Sequence, residues 1–251
     1  MRRAGIDPKD VEEVIPGNVL QAGVGQNPAR QALRGAGIPD AVGAFTVNKV
    51  CGSGLKSVAL AAQAIRAGDA EVIVAGGMES MSNAPYLLPS ARTGARLGHA
   101  ELVDSMVHDG LWDIYNDFHM GRPARRLPIN MASPGKTRTA SPPIPTKGGG
   151  GDGARRVRPR DRPCHDPTEK GEALVVKRDE GPRADSTAEA LGKLRPAFRK
   201  ENGTVTAGNA STINDGAAAL VVMSDVRARK LGLKPLARIT GYATGGLAPS
   251  G

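Results

Sequence analysis

The chain has 251 residues, a formal charge of +9, two cysteines and only 3% aromatic residues. That length supports one or two domains with a real core, and two cysteines exclude a disulfide framework. No apolar run is long enough to span a membrane, and Met1-Arg2-Arg3 leads into an acidic amphipathic segment rather than a signal peptide, so a soluble protein of the reducing cytoplasm is expected.

The charge belongs to one stretch. Between residues 122 and 165 eleven Lys or Arg face two Asp, which accounts for the whole excess. No Phe, Tyr or Trp lies in residues 122–168. The basic run therefore lacks a stacking platform, and a nucleic-acid partner is not expected.

In chain order, residues 1–13 read as the tail of a helix and VIPGNVL as a short strand. NPARQALRGAG reads as a helix, with Asn27 as N-cap and Pro28 at its first position. TVNKVCGSGLKSVALAAQAIRAGD follows. It reads as a strand with apolar β-branched Val47 and Val50, a tight turn at Cys51 to Gly54, and a long helix closed by Gly68. Cys51 would then face the positive end of that helix, where a thiol is favoured as a reactive group, although a buried inert cysteine fits the spacing as well. EVIVAGGMES contains a continuous apolar strand at 72–75 of the buried parallel kind. Alternating strands and helices predict an α/β fold, a parallel sheet with helices on both faces.

Residues 81–121 are rich in turns, with a short helix expected at DSMVHDGLW. Residues 122–168 contain nine Pro and a run of four Gly, a composition that predicts disorder. After Lys170 the chain reads as a strand-like EALVV, a charged turn and a short helix opened by Ser186 or Thr187. A Gly- and Asn-rich turn leads to a second buried strand at 217–223, a helix DVRARKLGL and a final strand in PLARITGYATGG.

Six motifs in this order, GNVLQAGVGQNPARQAL, TVNKVCGSGLK, VAGGMESMSNAPYLLP, DGLWDIYNDFHMG, KLRPAF and TVTAGNAS-INDGAAA, resemble those of the thiolases, most closely the acetyl-CoA C-acetyltransferase (acetoacetyl-CoA thiolase) branch. The resemblance covers residues 1–121 and 169–251. It implies a thiolase-like α/β fold. The N-terminal half, 1–80 with 203–224, would carry a parallel-rich mixed sheet with helices on both faces. A loop domain would span 81–202 and an incomplete C-terminal half would begin at 225–251. It implies acyl transfer between a cysteine and coenzyme A, through a covalent acyl-enzyme. Acetyl-CoA or another acyl-CoA is then the partner, with no cofactor beyond coenzyme A thioesters as substrates, no metal, and a homodimer or homotetramer as the assembly. By motif, Cys51 matches the nucleophile. Leu111, His119 and Met120 match positions lining the coenzyme A and substrate pocket. Ser211 matches a residue that meets the pantetheine arm, and Arg183, counted back from KLRPAF, one at the nucleotide end.

The chain also departs from the family pattern. The family's N-terminal strand and leading helix, on the order of 40 residues, are missing. So are its NEAFA-type segment, the histidine of its GHP motif and the cysteine of its CxGGG turn. None of His99, His108, His119, His165 or Cys164 sits in such a motif. The expectation is a chain without the family's base and second cysteine, and without turnover by itself, so that a non-catalytic remnant with a partial coenzyme A site is the alternative reading. Thr212 replaces the glycine that commonly follows the matched serine, where a Cβ would crowd the pantetheine arm.

The basic stretch has an explanation in reading frame. Written in GC-rich codons and read one nucleotide early, MASPGKTRTAS becomes YGITREDQDRF. DGARRVRPRDRPCHDP, read one nucleotide late, becomes MERGAFDREIVPVTIP. Both products are thiolase-like, and single-base slips of one sign near residues 122, 147 and 168 would generate both. The coding DNA is therefore expected to hold a thiolase-like frame beneath codons 122–168; sequencing that finds none there sinks the explanation.

Overall fold

The structure is a computed structural model that describes residues 1–122, 186–199 and 203–246, and the backbone of 164–166 and 174–176. Packing divides the chain into two compact units, Met1–Met120 with Thr212–Pro249, and Gly121–Ser211. Residues 81–120, which the motifs place with the loop domain, pack within the first of these.

The first unit is built on four strands: β1 (Glu13–Gly17), β2 (Gly43–Ala44), β3 (Val72–Ser80) and one formed by Asp215–Met223. The last of these pairs antiparallel with β3 over nine residues, β3 pairs parallel with β1, and β1 pairs parallel with β2. The sheet is thus mixed and mainly parallel. Helices cover both faces. Helix α1 (Pro28–Gly35) brings Leu33 against Val14 and Val72 on one face. Helix α2 (Ser53–Ala67) brings Ala61 against Ile15, Ile73 and Ala75 on the other. Adjacent residues in each strand point to opposite faces, so Val14 and Ile15, or Val72 and Ile73, serve different cores. Each of these aliphatic side chains contributes about 1.5–3 kcal/mol by leaving water.

Local chemistry sets the helix ends. Asn27, at φ 42°, accepts the Arg30 N–H at 3.1 Å and donates to Ala44 O at 3.0 Å, so the cap also ties α1 to β2. Gly68, at φ 87°, closes α2. Helix α2 lies unusually close to the sheet. A Cβ on Gly17 would stand 2.5 Å from the Ser53 carbonyl carbon, and one on Gly77 3.3 Å from Gly54 Cα. At the same seam Ser57, fully buried, accepts from the Gly76 N–H at 2.8 Å and donates to Gly76 O at 2.8 Å, with Gly54 O at 2.8 Å as the competing acceptor.

The remaining elements of the first unit are short. Strands β4 (Tyr86–Leu87) and β5 (Val103–Asp104) pair antiparallel, as do β6 (Trp112–Asp113) and β7 (Phe118–His119). A π-type helix, Met106–Leu111, joins the two hairpins. In the second unit β8 (Cys164–Asp166) pairs with β9 (Leu174–Val176). Helix α3 (Ala188–Gly192) there is capped by the Thr187 hydroxyl, which accepts the Ala190 N–H at 3.1 Å. Asp215–Met223 is β10, and α4 (Asp225–Lys230) follows it.

Several expectations are corrected. Residues 1–13 hold two single 3-10 turns, Arg2–Ala4 and Pro8–Asp10, because Gly5 and Pro8 interrupt a continuous helix. The strand expected at 46–50 is displaced to β2 and leaves only the isolated bridges Gly17–Val47 and Lys49–Cys51, since Val50 leaves extended geometry at φ 47°. The expected strand in PLARITGY does not form. Its carbonyls at Ile239 and Thr240 accept from the Arg66 guanidinium instead, at 3.0 and 3.4 Å, and Arg66 stacks on Tyr242 at 5.4 Å. The short helix at 104–112 is π-type, not α. Residues 217–223 are a strand as expected, but 215–220 are exposed rather than buried, because β10 is the edge of the sheet. Within the stretch expected to be disordered, 164–166 form β8; the rest of 123–168 lies outside the described residues.

Two substitutions test this packing. Ser57→Ala leaves two Gly76 backbone groups unsatisfied in a dry seam and is expected to cost about 1–3 kcal/mol, read as a lower urea midpoint; an unchanged midpoint contradicts the seam. Burial, with Asp69 adding to it, raises the Glu13 carboxyl above its ordinary range. The folded state therefore holds that proton more tightly, and the contribution is complete at acidic pH and lost as pH rises through the folded value. Glu13→Gln is expected to raise the thermal midpoint at neutral pH and leave it unchanged in acid, where both forms are uncharged.

Candidate functional site

Cys51 is exposed and lies at the junction of β2's outgoing chain with α2. The junction is made by a tight turn. Gly52 N–H donates to Lys49 O at 3.0 Å and Ser53 N–H to Val50 O at 3.1 Å. The Ser53 hydroxyl accepts the Lys49 N–H at 2.8 Å and donates to Val50 O at 2.6 Å. Asn48 Oδ1 accepts the Val50 N–H at 2.9 Å. Val50 has φ 47°, a left-handed value that is a genuine outlier for a β-branched residue. Gly52 precedes the helix and supplies no side-chain cap, so the N-terminal N–H groups of α2 receive no hydroxyl or carboxylate from that position.

Beside this turn lies an open cleft of about 480 Å³, lined by Val50, His108, Asp109, Trp112, Asp113, Ile114 and Tyr115. The π-type helix and the β6–β7 hairpin build its far wall. Asp113 fixes the hairpin turn: its Oδ1 accepts the N–H groups of Tyr115 at 3.0 Å and Asn116 at 3.1 Å, and its Oδ2 accepts Asn116 Nδ2 at 3.0 Å. The Asn116 side chain foremost, then these N–H groups, hold the Asp113 carboxyl below the usual carboxylate range. Trp112 Nε1 donates to Asp117 Oδ1 at 3.2 Å across the same turn.

Three residues singled out from sequence, Leu111, His119 and Met120, meet on this hairpin. His119 is the cross-strand partner of Trp112, and the Met120 N–H donates to Leu111 O at 2.9 Å. They flank the cleft; its lining is drawn from their neighbours and from Val50 rather than from Cys51 itself. Ser211 is exposed at the end of the second unit. Next to it Thr212 is exposed, and its backbone and side-chain oxygens accept from Asn214 Nδ2 at 3.0 and 2.6 Å. Arg183 lies outside the described residues. Among the described residues no group of three or more His, Cys, Asp or Glu is placed to hold a metal, and no helix is long and apolar enough to cross a membrane.

The sequence pattern assigns no site role to Asn48, Ser53, Trp112 or Asp113. A serine two residues after the cysteine was a readable signal, since short hydroxyl side chains bond local backbone. The backbone angle of Val50 was not readable.

Comparison with known proteins extends this geometry. The family model for the thiolase N-terminal domain matches residues 1–135 and 162–226. The unmatched residues 136–161 fall inside the Pro- and Arg-rich stretch. An acetyl-CoA acetyltransferase of Pseudomonas aeruginosa is 54% identical over all of this chain and 64% of its own length. One of Cupriavidus necator is 51% identical over 99% of this chain and 63% of its own. The crystal structure of the Bacillus anthracis acetyl-CoA acetyltransferase superposes with a TM-score of 0.83 at 38% identity, covering 94% of this chain and 59% of that one. The chain thus spans about 64% of the length of such curated relatives. With the family model matched over most of its residues and the fold shared, the chain belongs to the thiolase family.

Proposed function

We propose that this chain carries the acyl-accepting part of an acetyl-CoA C-acetyltransferase, with Cys51 as the acceptor. The Cys51 sulfur attacks the thioester carbonyl of acetyl-CoA and loses its proton to a base. The carbon–sulfur bond to coenzyme A breaks and coenzyme A leaves as the thiol. The acetyl group stays on Cys51 as a new thioester, so one thioester replaces another and the step is nearly balanced in energy. The family's second half-reaction, in which another acetyl-CoA deprotonated at its methyl carbon takes the acetyl group to give acetoacetyl-CoA, needs the base and second cysteine that no motif of this chain supplies, and is not assigned to it. Developing charge on the thioester oxygen needs a fixed donor, and N–H groups of the first turn of α2, which take no side-chain cap from Gly52, would serve.

The observation that carries this reading is the presentation of Cys51: exposed, held on a turn and placed at the start of a 15-residue helix. Leu111, His119 and Met120, gathered on the hairpin beside the cleft, would line the pantetheine channel; Ser211 and Arg183 are assigned to coenzyme A by motif alone. A cytoplasmic location and a homo-oligomeric assembly belong to the same reading, as expectations of the family resemblance.

Incubating the purified chain with acetyl-CoA and mapping it by peptide mass spectrometry tests the first half-reaction. An acetyl group is expected on the Cys51 peptide, released by added coenzyme A and absent from Cys51→Ser. Acetylation confined to lysines, or unchanged in Cys51→Ser, refutes the assignment.

A further inference from the structure

Three non-glycine residues among those described have positive φ: Asn27, Asp117 and Val50. The first two are of the types that tolerate the left-handed region, because their short polar side chains bond locally. Val50 has no such means, and its branched Cβ opposes the conformation. Something outside Val50 must hold it there. Five hydrogen bonds do so, and three of them come from two side chains. Asn48 Oδ1 fixes the Val50 N–H at 2.9 Å, while the Ser53 hydroxyl fixes both the Lys49 N–H at 2.8 Å and Val50 O at 2.6 Å. Ser53 is 4% exposed and packs so closely on Gly17 that a Cβ there would stand 2.6 Å from its own. Its hydroxyl turns back onto the turn rather than capping α2.

We propose that Ser53, assisted by Asn48, is the positioning residue for the Cys51 sulfur: the two side chains clamp Val50 in a left-handed conformation and thereby aim the residue that follows. This rests on the reading of Cys51 as the acyl acceptor. The clamp converts a backbone that would relax toward extended geometry into one direction for the thiol. Losing it lets Val50 return to negative φ and turns the peptide that carries Cys51. A misdirected nucleophile loses rate far more than substrate affinity, since Leu111, His119 and Met120, which would bind acetyl-CoA, stand on or next to the hairpin and not on this turn.

The test is a cycle of substitutions, each followed by the rate at which acetyl-CoA acetylates Cys51 and by the acetyl-CoA concentration giving half that rate. Ser53→Ala is expected to slow acetylation about tenfold or more with the half-saturating concentration unchanged. Asn48→Ala, at an exposed position, is expected to slow it less. The decisive step is Val50→Gly in each background. Glycine adopts the left-handed angle without strain, so it is expected to restore most of the lost rate. A role of Ser53 in general folding would not be repaired by a change at Val50. If Ser53→Ala does not fold, as judged by circular dichroism, the Asn48→Ala pair decides. Wild-type protein that takes no acetyl group on Cys51 removes the acyl-acceptor reading itself. Wild-type acetylation with unaltered rates in both single variants, or slowed rates that Val50→Gly leaves slow, overturns the clamp alone.

Discussion

The first turn of α2 can stand where it does only because three glycines and one serine allow backbone to meet backbone. Gly17 on β1, Gly54 on the helix and Gly77 on β3 remove the side chains that would hold the helix off the sheet. Gly76 is confined on the sheet's own side, since a Cβ there would fall onto Ala218 O of β10. Ser57 then supplies the polar partners that the crowded strand gives up. Such a seam trades apolar contact for closeness. It fixes the height of the helix N-terminus above the sheet, and through it the position of the residues just before the helix.

The ends of the central strands are secured in a related manner. Glu79 at the end of β3 accepts from Asn18 Nδ2 at 2.8 Å and from the N–H groups of Val19 at 3.0 Å and Leu20 at 3.1 Å. Asn18 also donates to Met78 O at 3.0 Å, and its N–H reaches Val47 O at 3.1 Å. At the neighbouring edge, Asp215 accepts from the N–H and hydroxyl of Ser82, which lower its carboxyl from the ordinary range. Charged and amide side chains thus take over where the ladder of backbone bonds stops. The chain leaving β1, the chain approaching the cysteine and the chain leaving β3 are held together by one carboxylate and one amide.

Much of this was legible because it is local. Asn27-Pro28 announced α1, Gly68 ended α2, and the uninterrupted Val-Ile-Val-Ala run announced β3. The family motifs added Leu111, His119 and Met120, which the hairpin does gather. What could not be read depends on partners distant in sequence. The residues 235–242 have strand composition, yet their carbonyls are claimed by Arg66, more than 170 residues earlier. The 217–223 segment has the apolar run of a buried strand, yet it forms an edge. The strain at Val50 arises from bonds to Asn48 and Ser53 whose geometry no composition encodes.

The position of β3 between a parallel and an antiparallel neighbour has a further consequence. Its register is set twice, by Val14 against Val74 from one side and by Val221 against Val74 from the other. Inserting or deleting one residue would exchange the Val72 and Val74 face with the Ile73 and Ala75 face, sending each set into the wrong core. No sliding of a single neighbour could repair both pairings. A gene for this fold can therefore absorb length variation in the turns after Ser80 far more readily than anywhere in the strand before it.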